Sequence, residues 1–285
     1  MKIGIIGYGF VGKALHKGFS TENVEFYLVD PLLNTTISNM MNHFQPDVVF
    51  ISVPTPMLQN GAINDEIIID CLKQLNSYND KLLCVVKSTV TPNVITKLKS
   101  IHSKIVYNPE FLTEKNADED FINSEFLLLG GEIGDVNLIE FLYKKYSKCI
   151  DCPTFKVDLQ AASLIKYSIN CYLASKVIFF NQLNSIYQKT GSSTPWEQII
   201  QAIGADSRIG KSHMQVPGHD KKYGYGGACF PKDTLALIRY SQQIQEPFTL
   251  LQQVVDINQN IRSDYELDDR EKEQNVNFNI GINNG

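Results

Sequence analysis

Six short runs of β-branched and apolar residues, each followed by a stretch with helical spacing, fill the first 150 positions and constrain the fold more than any single motif does. KIGII (2 to 6), VEFYLV (24 to 29), DVVFIS (47 to 52), LLCVV (82 to 86), KIVY (104 to 107) and FLLLG (126 to 130) read as strands. Several are too uniformly apolar to leave one face in water. That pattern predicts an α/β chain whose sheet is parallel, doubly wound and covered by helices on both sides.

The first strand runs directly into GYGFVG, and a helical pattern, KALHKGF, follows. Gly7, Gly9 and Gly12 thus form GxGxxG in the context the motif needs, with Phe10 and Val11 opening the helix. Gly7 allows the tight turn, Gly9 lets backbone N–H groups approach a diphosphate, and Gly12 lets helix and strand pack closely. Asp30 stands eighteen residues beyond the last glycine, at the end of the second strand. Its carboxylate suits ribose hydroxyls and repels a 2′-phosphate, which favours NAD over NADP. A Rossmann sheet holds its ligand beyond the carboxyl ends of its strands. Val53, Pro54, Thr55 and Pro56, then Lys87, Ser88 and Thr89, then Asn108, Pro109 and Glu110 follow such ends and should line that crevice.

After Cys152 the rhythm changes. From Asp158 to about Lys189 there is no Gly or Pro, and apolar residues recur at helical spacing from Leu164 through Ile186 and Tyr187. One long helix, stopped near Gly191, is the expected backbone of an all-helical domain, with shorter helices at about 195 to 203, 232 to 245 and 247 to 262. The predicted organisation is a Rossmann domain over 1 to 153, a helical domain that also dimerises over 154 to 262, and a polar, mobile tail over 263 to 285.

Composition narrows the classes of function. A net charge of -5, with no basic run, gives no reason to expect a nucleic-acid surface. The apolar start MKIGIIGYGF reaches glycine too early for a signal peptide, and no apolar run approaches the length of a membrane span, so a cytoplasmic protein is expected. Six cysteines are scattered along the chain and read as reduced thiols. Cys149 and Cys152 make one CxxC without a second pair or a nearby histidine, so no metal site is expected and a packing role is favoured over a redox one.

The reactive end is YGYGGACFPKD, residues 223 to 233, with Gly224, Tyr225, Gly226, Gly227, then Cys229, Pro231 and Asp233. Pro231 suits the first turn of a helix, which puts Cys229 just ahead of the helix N-terminus, where the macrodipole lowers a thiol pKa. The glycines would let the loop close around a substrate. The same string also fits a capped helix behind a flexible loop with an incidental cysteine. Lys166 and Asn170 share one face of the long helix, where a cation and an amide can stabilise an oxyanion or a lysine can merely snorkel. Glu110 and Glu114 follow a strand end in NPEFLTE.

Taken in order, GYGFVG, VPTP, KSTVTP, NPEFLTE, the Lys166/Asn170 pair, GADSRIG (204 to 210) and GYGGACFPKD resemble the UDP-glucose/GDP-mannose dehydrogenase family over about residues 1 to 260. The resemblance implies a four-electron oxidation of the C6 alcohol of a nucleotide sugar to a carboxylate, with two NAD consumed. It implies that Cys229 captures the aldehyde, that Lys166 and Asn170 stabilise the oxyanion and that Asp233 works with the lysine and a water. It further implies that Thr89 and Glu114 position water, with Glu110, Phe111, Leu112, Tyr225, Gly226 and Gly227 against the substrate. A homodimer along the long helix is expected. The family's usual further nucleotide-binding domain is not found in this sequence, and the loop VPGHDKKYGYGG departs from the family's version at His219, Asp220, Lys221 and Lys222. Two rivals follow: a module that holds NAD and dimerises, or that needs a separate chain to supply the missing domain; and a hydroxyacid dehydrogenase making one hydride transfer with Lys166 alone.

Overall fold

The computed structural model describes residues 1–112, 117–149 and 152–280, and the chain divides into two compact units. Unit 1 comprises Met1–Thr55 with Asn64–Lys166, and unit 2 comprises Pro56–Ile63 with the chain from Tyr167 onward. The division falls inside the long helix, not at residue 153 as the composition shift suggested, and it assigns a short hairpin from the first half to the second unit.

Unit 1 is built on strands β1 (Lys2–Ile6), β2 (Glu25–Val29), β3 (Val48–Ile51), β4 (Leu83–Val86), β5 (Ile105–Tyr107), β6 (Leu127–Gly131) and β7 (Thr154–Val157). They lie in the order β2-β1-β3-β4-β5-β6-β7. The first five are parallel, Ile3 pairing with Phe26 and Val48, and Val49 with Cys84. β6 runs antiparallel to β5, with Val106 opposite Gly131, and β7 is parallel to β6. The sheet is therefore mostly parallel, and β7 is an addition to the six expected strands. Its residues are only partly buried, as suits a strand at the sheet edge, so its hydropathy carried little signal.

The helices of this unit are α1 (Phe10–Phe19), α2 (Ile37–Asn39), α3 (Glu66–Tyr78), α4 (Pro92–Ile101), α5 (Ala117–Ile122) and α6 (Ile133–Tyr146). Leu15 and Phe19 of α1, Phe121 of α5, and Ile139, Leu142 and Tyr143 of α6 form one cluster with Ile3, Ile5, Phe50, Val85, Val106 and Leu129 of the sheet. Each large apolar side chain so enclosed contributes about 1.5–3 kcal/mol relative to exposure. α3 and α4 bury Ile68, Leu72 and Leu75 and Ile95 and Leu98 outside that cluster. Both faces of β3 and β4 are buried, as their continuous apolar sequence requires.

The long helix α7 runs from Leu159 to Gln188, within a residue of its predicted ends. Its segment from Tyr167 belongs to unit 2, together with α8 (Trp196–Gly204), α9 (Phe230–Gln243), α10 (Thr249–Arg262) and α11 (Asp269–Glu273). Ala174 and Ile178 pack with Tyr225 and Val254, and Phe180 packs with Trp196, Met214 and Val216. Tyr172, Phe179 and Ile186 recur every seven residues along α7 and stay more than 60% exposed.

The expected mobile tail is a correction. Through residue 280 the chain folds back on unit 2: Asp268 and Glu271 form a capping box on α11, and Val276, Phe278 and Ile280 are buried. The charges that made this segment look like tail are used locally. Glu271 is itself buried, accepting from the Asp268 and Gly227 N–H groups at 2.9 and 2.8 Å. No helix among the described residues is long and apolar enough to cross a membrane.

Candidate active site

In unit 1 the turn between β1 and α1 has the geometry that the glycine spacing predicts. Gly7 sits at φ +87°, and a Cβ on Gly12 would lie 2.1 Å from the Gly7 carbonyl oxygen, so helix and turn can touch only through glycine. A Cβ on Gly9 would meet nothing within 4 Å, so this is the open side of the turn. The first turn of α1, where Phe10 and Val11 stand, carries no acidic residue against the positive end of the helix. Asp30 accepts from the Tyr8 N–H at 2.7 Å and the Leu32 N–H at 2.9 Å, which fixes its carboxylate beside the glycine turn. These residues fit NAD: an open, acid-free helix start for the diphosphate and an anchored carboxylate for the ribose. Gly12→Ala is expected to destabilise this unit by about 1–3 kcal/mol. Gly9→Ala should melt like the parent yet bind NAD about tenfold or more weakly, a loss near 1.4 kcal/mol. Calorimetric titration with NAD beside thermal melts separates the two effects.

The neighbouring strand ends are stitched together. Thr55 Oγ1 donates to the Thr89 carbonyl at 2.9 Å, and Ser88 Oγ donates to the Val53 carbonyl at 2.7 Å. Pro54 lies between these tied residues, so Val53–Thr55 and Ser88–Thr89 form one rim.

Behind it lies a buried polar network. Lys87 Nζ donates to the Asn108 carbonyl at 3.2 Å and to Asn108 Oδ1 at 3.0 Å, and pairs with Glu110 Oε2 at 3.0 Å. Tyr143 Oη donates to Asn108 Oδ1 at 2.6 Å, and Asn108 Nδ2 donates to the Leu128 carbonyl at 3.0 Å. Burial, then the negative charge of Glu110, raises the Tyr143 pKa well above the ordinary value, so this hydroxyl remains a donor. A cavity of about 280 Å³ opens here, lined by Lys87, Glu110, Phe111, Leu112, Ser124 and Tyr143 among others. Lys166 Nζ donates to the Glu110 carbonyl and lies 4.8 Å from the Phe111 ring centre. Glu114 lies outside the described residues.

In unit 2, α9 starts where Pro231 predicts. Cys229 is its N-cap residue, exposed, and Pro231 occupies the first turn. Asp233 is buried, accepting from Asn170 Nδ2 on one oxygen and from Lys232 Nζ on the other, both at 2.6 Å. Its own N–H donates to the Cys229 carbonyl at 2.8 Å, so the acid is tied to the backbone that carries the thiol. Asn170 belongs to α7, one turn after Lys166. The His213 ring packs 5.6 Å from the Phe230 ring, and its pKa is lowered by burial and by the charges of Lys176 and His219.

The glycine loop departs from expectation. A Cβ on Gly224 would stand 2.5 Å from Asn258 Oδ1, and one on Gly226 would stand 2.5 Å from Glu271 Oε1 and 2.7 Å from Arg262 Nη1. These glycines are thus required by the chain's own packing. Tyr225, expected against substrate, is buried between Ala174 and Val254, with its hydroxyl against Thr234. Of the loop residues assigned to substrate, Gly226 and Gly227 keep partial exposure. Sequence reasoning missed Lys232 as the ion partner of Asp233, although the two are adjacent. It also missed Tyr143 and Glu271, whose partners lie 35 and 44 residues away.

Two family models match. Residues 31–147 match the NAD binding domain of the UDP-glucose/GDP-mannose dehydrogenase family, and residues 160–260 match its central domain. UDP-glucose 6-dehydrogenase YwqF of Bacillus subtilis is 32% identical over 242 residues, spanning 81% of this chain and 52% of the relative. UDP-glucose 6-dehydrogenase AglM of Haloferax volcanii is 31% identical, spanning 86% of this chain and 59% of the relative. The chain therefore spans about half the length of the curated relatives it matches. Among solved structures, a UDP-glucose dehydrogenase from Pyrobaculum islandicum superimposes with a TM-score of 0.77 at 25% identity, covering 91% of this chain and 68% of the other. A Mycobacterium tuberculosis 3-hydroxyisobutyrate dehydrogenase shares the fold, with a TM-score of 0.71 at 16% identity, covering 92% of this chain and 94% of the other. A mostly parallel α/β sheet, a glycine turn fitted to NAD and a cysteine at the N-cap position of a helix thus meet ordered matches to both domains: the chain belongs to the UDP-glucose/GDP-mannose dehydrogenase family.

Proposed function

We propose that this chain carries the NAD-binding and catalytic parts of a nucleotide-sugar 6-dehydrogenase, and that its reaction is UDP-glucose to UDP-glucuronate. The observation that carries the reading is Cys229, exposed at the start of α9, with Asp233 held one turn later by Asn170 and Lys232. An alcohol dehydrogenase has no need of a thiol there, whereas an enzyme that continues from aldehyde to acid does.

NAD, when bound, supplies the hydride acceptor for each of the two oxidations. The chain's own residues then have these roles. Gly7, Gly9, Phe10, Val11, Gly12 and Asp30 hold the cofactor, with Val53, Pro54, Thr55, Ser88 and Thr89 along its rim. The Cys229 thiolate adds to the C6 aldehyde carbon, and the resulting alkoxide is stabilised by the Lys166 ammonium and the Asn170 amide. Removal of the second hydride leaves a thioester on Cys229. Water then displaces the sulfur, releasing the carboxylate, with Asp233, Thr89 and Glu114 as the groups that position it. Glu110, Phe111 and Leu112, with Gly226 and Gly227, meet the sugar nucleotide. Tyr172, Phe179 and Ile186 support a homodimer along α7, since an apolar row at heptad spacing is an association surface.

The test is the yield of NADH at limiting UDP-glucose with excess NAD. Two NADH per sugar, with UDP-glucuronate as product, is the expected result. NAD binding without NADH would overturn independent turnover. It would favour a second reading, a module completed by another chain.

A further inference from the structure

The mechanism leaves Cys149 and Cys152 unused. Their sulfurs lie 3.1 Å apart, a contact far closer than packing alone requires of two thiols. Both ends of the CxxC are pinned within unit 1. The Cys149 N–H donates to Ser147 Oγ at 3.1 Å, and Ser147 Oγ donates to the Tyr143 carbonyl at 2.7 Å at the end of α6. On the other side, Pro153 leads into β7, its carbonyl accepting from the Leu127 N–H at 2.8 Å. Bond formation needs the sulfurs to approach by only about 1 Å.

The two thiols differ in access. Cys149 is buried, and its pKa is pushed up to about 12, first by burial and then by its hydrogen bond to Cys152 and the Cys152 charge. Ser124 and Lys87 pull it the other way. Cys152 is partly exposed and is the more accessible residue of the two. Two sulfurs alone do not make a metal site, and no group of three or more candidate ligands occurs among the described residues.

We propose that Cys149 and Cys152 are a redox dithiol that closes to a disulfide by exchange with a small-molecule disulfide of the glutathione type. The Cys152 thiolate attacks one sulfur of the reagent, forming a mixed disulfide and expelling one reagent thiolate. Cys149 then attacks Cys152 Sγ, giving up its proton as it does so and expelling the second reagent thiolate. Two protein thiols are oxidised, one reagent disulfide is reduced to two thiols, and the two protein protons pass to the leaving thiolates. The covalent change falls beside Tyr143, whose pKa both sulfurs help to raise and whose hydroxyl supports Asn108 and so Lys87 and Glu110.

The remaining thiols do not interfere. Cys71, Cys84 and Cys171 are buried, and burial raises the Cys71 pKa to about 12 and raises that of Cys84 as well. The test uses the full chain carrying Cys229→Ser, incubated with oxidised glutathione, alkylated and digested with trypsin. The expected result is loss of both alkylation sites from the peptide Cys149–Lys156, which becomes lighter by two hydrogens and is restored by dithiothreitol. Adding Cys152→Ser at the partly exposed position should abolish the loss of thiol at Cys149, with a thermal melt confirming that the variant is folded. A peptide that stays fully alkylated, or a glutathione adduct on Cys152 that does not resolve, would overturn the proposal.

Discussion

Cys229→Ser should lower UDP-glucuronate formation by about a thousandfold or more, the scale seen when a covalent nucleophile is removed. The loss is expected to be chemical and not structural. Cys229 is exposed and makes no side-chain cap to α9, so replacing its sulfur by oxygen is a small change at the surface. Exposed substitutions of this kind stay within about 0.5 kcal/mol of the parent. Serine also occurs naturally ahead of helices. The variant should therefore melt with the parent and bind NAD with the same affinity, while the second oxidation stalls because a hydroxyl is too weakly acidic to capture the aldehyde. The measurement is NADH and acid product per sugar consumed. A variant with undiminished turnover would return the chain to the single-step dehydrogenases whose fold it shares.

Asn108→Ala should be the most destabilising single change in unit 1. Its side chain accepts from Lys87 and Tyr143 and donates to the Leu128 carbonyl, and all of these groups are buried. Truncation leaves an ammonium short of an acceptor and a phenol without one. A buried donor deprived of its partner costs about 1–3 kcal/mol, more when charged, so a total near 3 kcal/mol is expected. For a unit of this size that lowers the melting temperature by roughly 6–12 °C. Tyr143→Phe removes a donor and leaves Asn108 its bond to Lys87, so it should cost only about 1 kcal/mol. Urea unfolding of the three proteins orders them, and equal stabilities would show that the network is not a structural element.

Much of this architecture was legible because hydrophobic runs announce themselves. β3 and β4 are buried on both faces, and their sequences say so without reference to any partner. α7 was legible from its apolar spacing and freedom from Gly and Pro, to within one residue at each end. The direction of β6 was not, since FLLLG has the same hydropathy whichever way the strand runs. β7 escaped because an edge strand exposes its side chains. At the site, Cys229 could be placed because Pro231 marks a helix start locally. Asn108 could only be read as a residue after a strand, because its role depends on Tyr143, far along the chain. The closing segment escaped for the opposite reason: a charge count describes solvation, and it does not reveal that Asp268 and Glu271 satisfy the backbone of their own helix.

The packing of the glycine loop bears on how such sequences are read across a lineage. Gly224 and Gly226 answer to Asn258, Arg262 and Glu271. Selection for folding alone would preserve them. A duplicated copy that had lost its thiol and its turnover would still display most of GYGGACFPKD, so retention of the motif dates the scaffold, and only the cysteine reports whether the chemistry has survived.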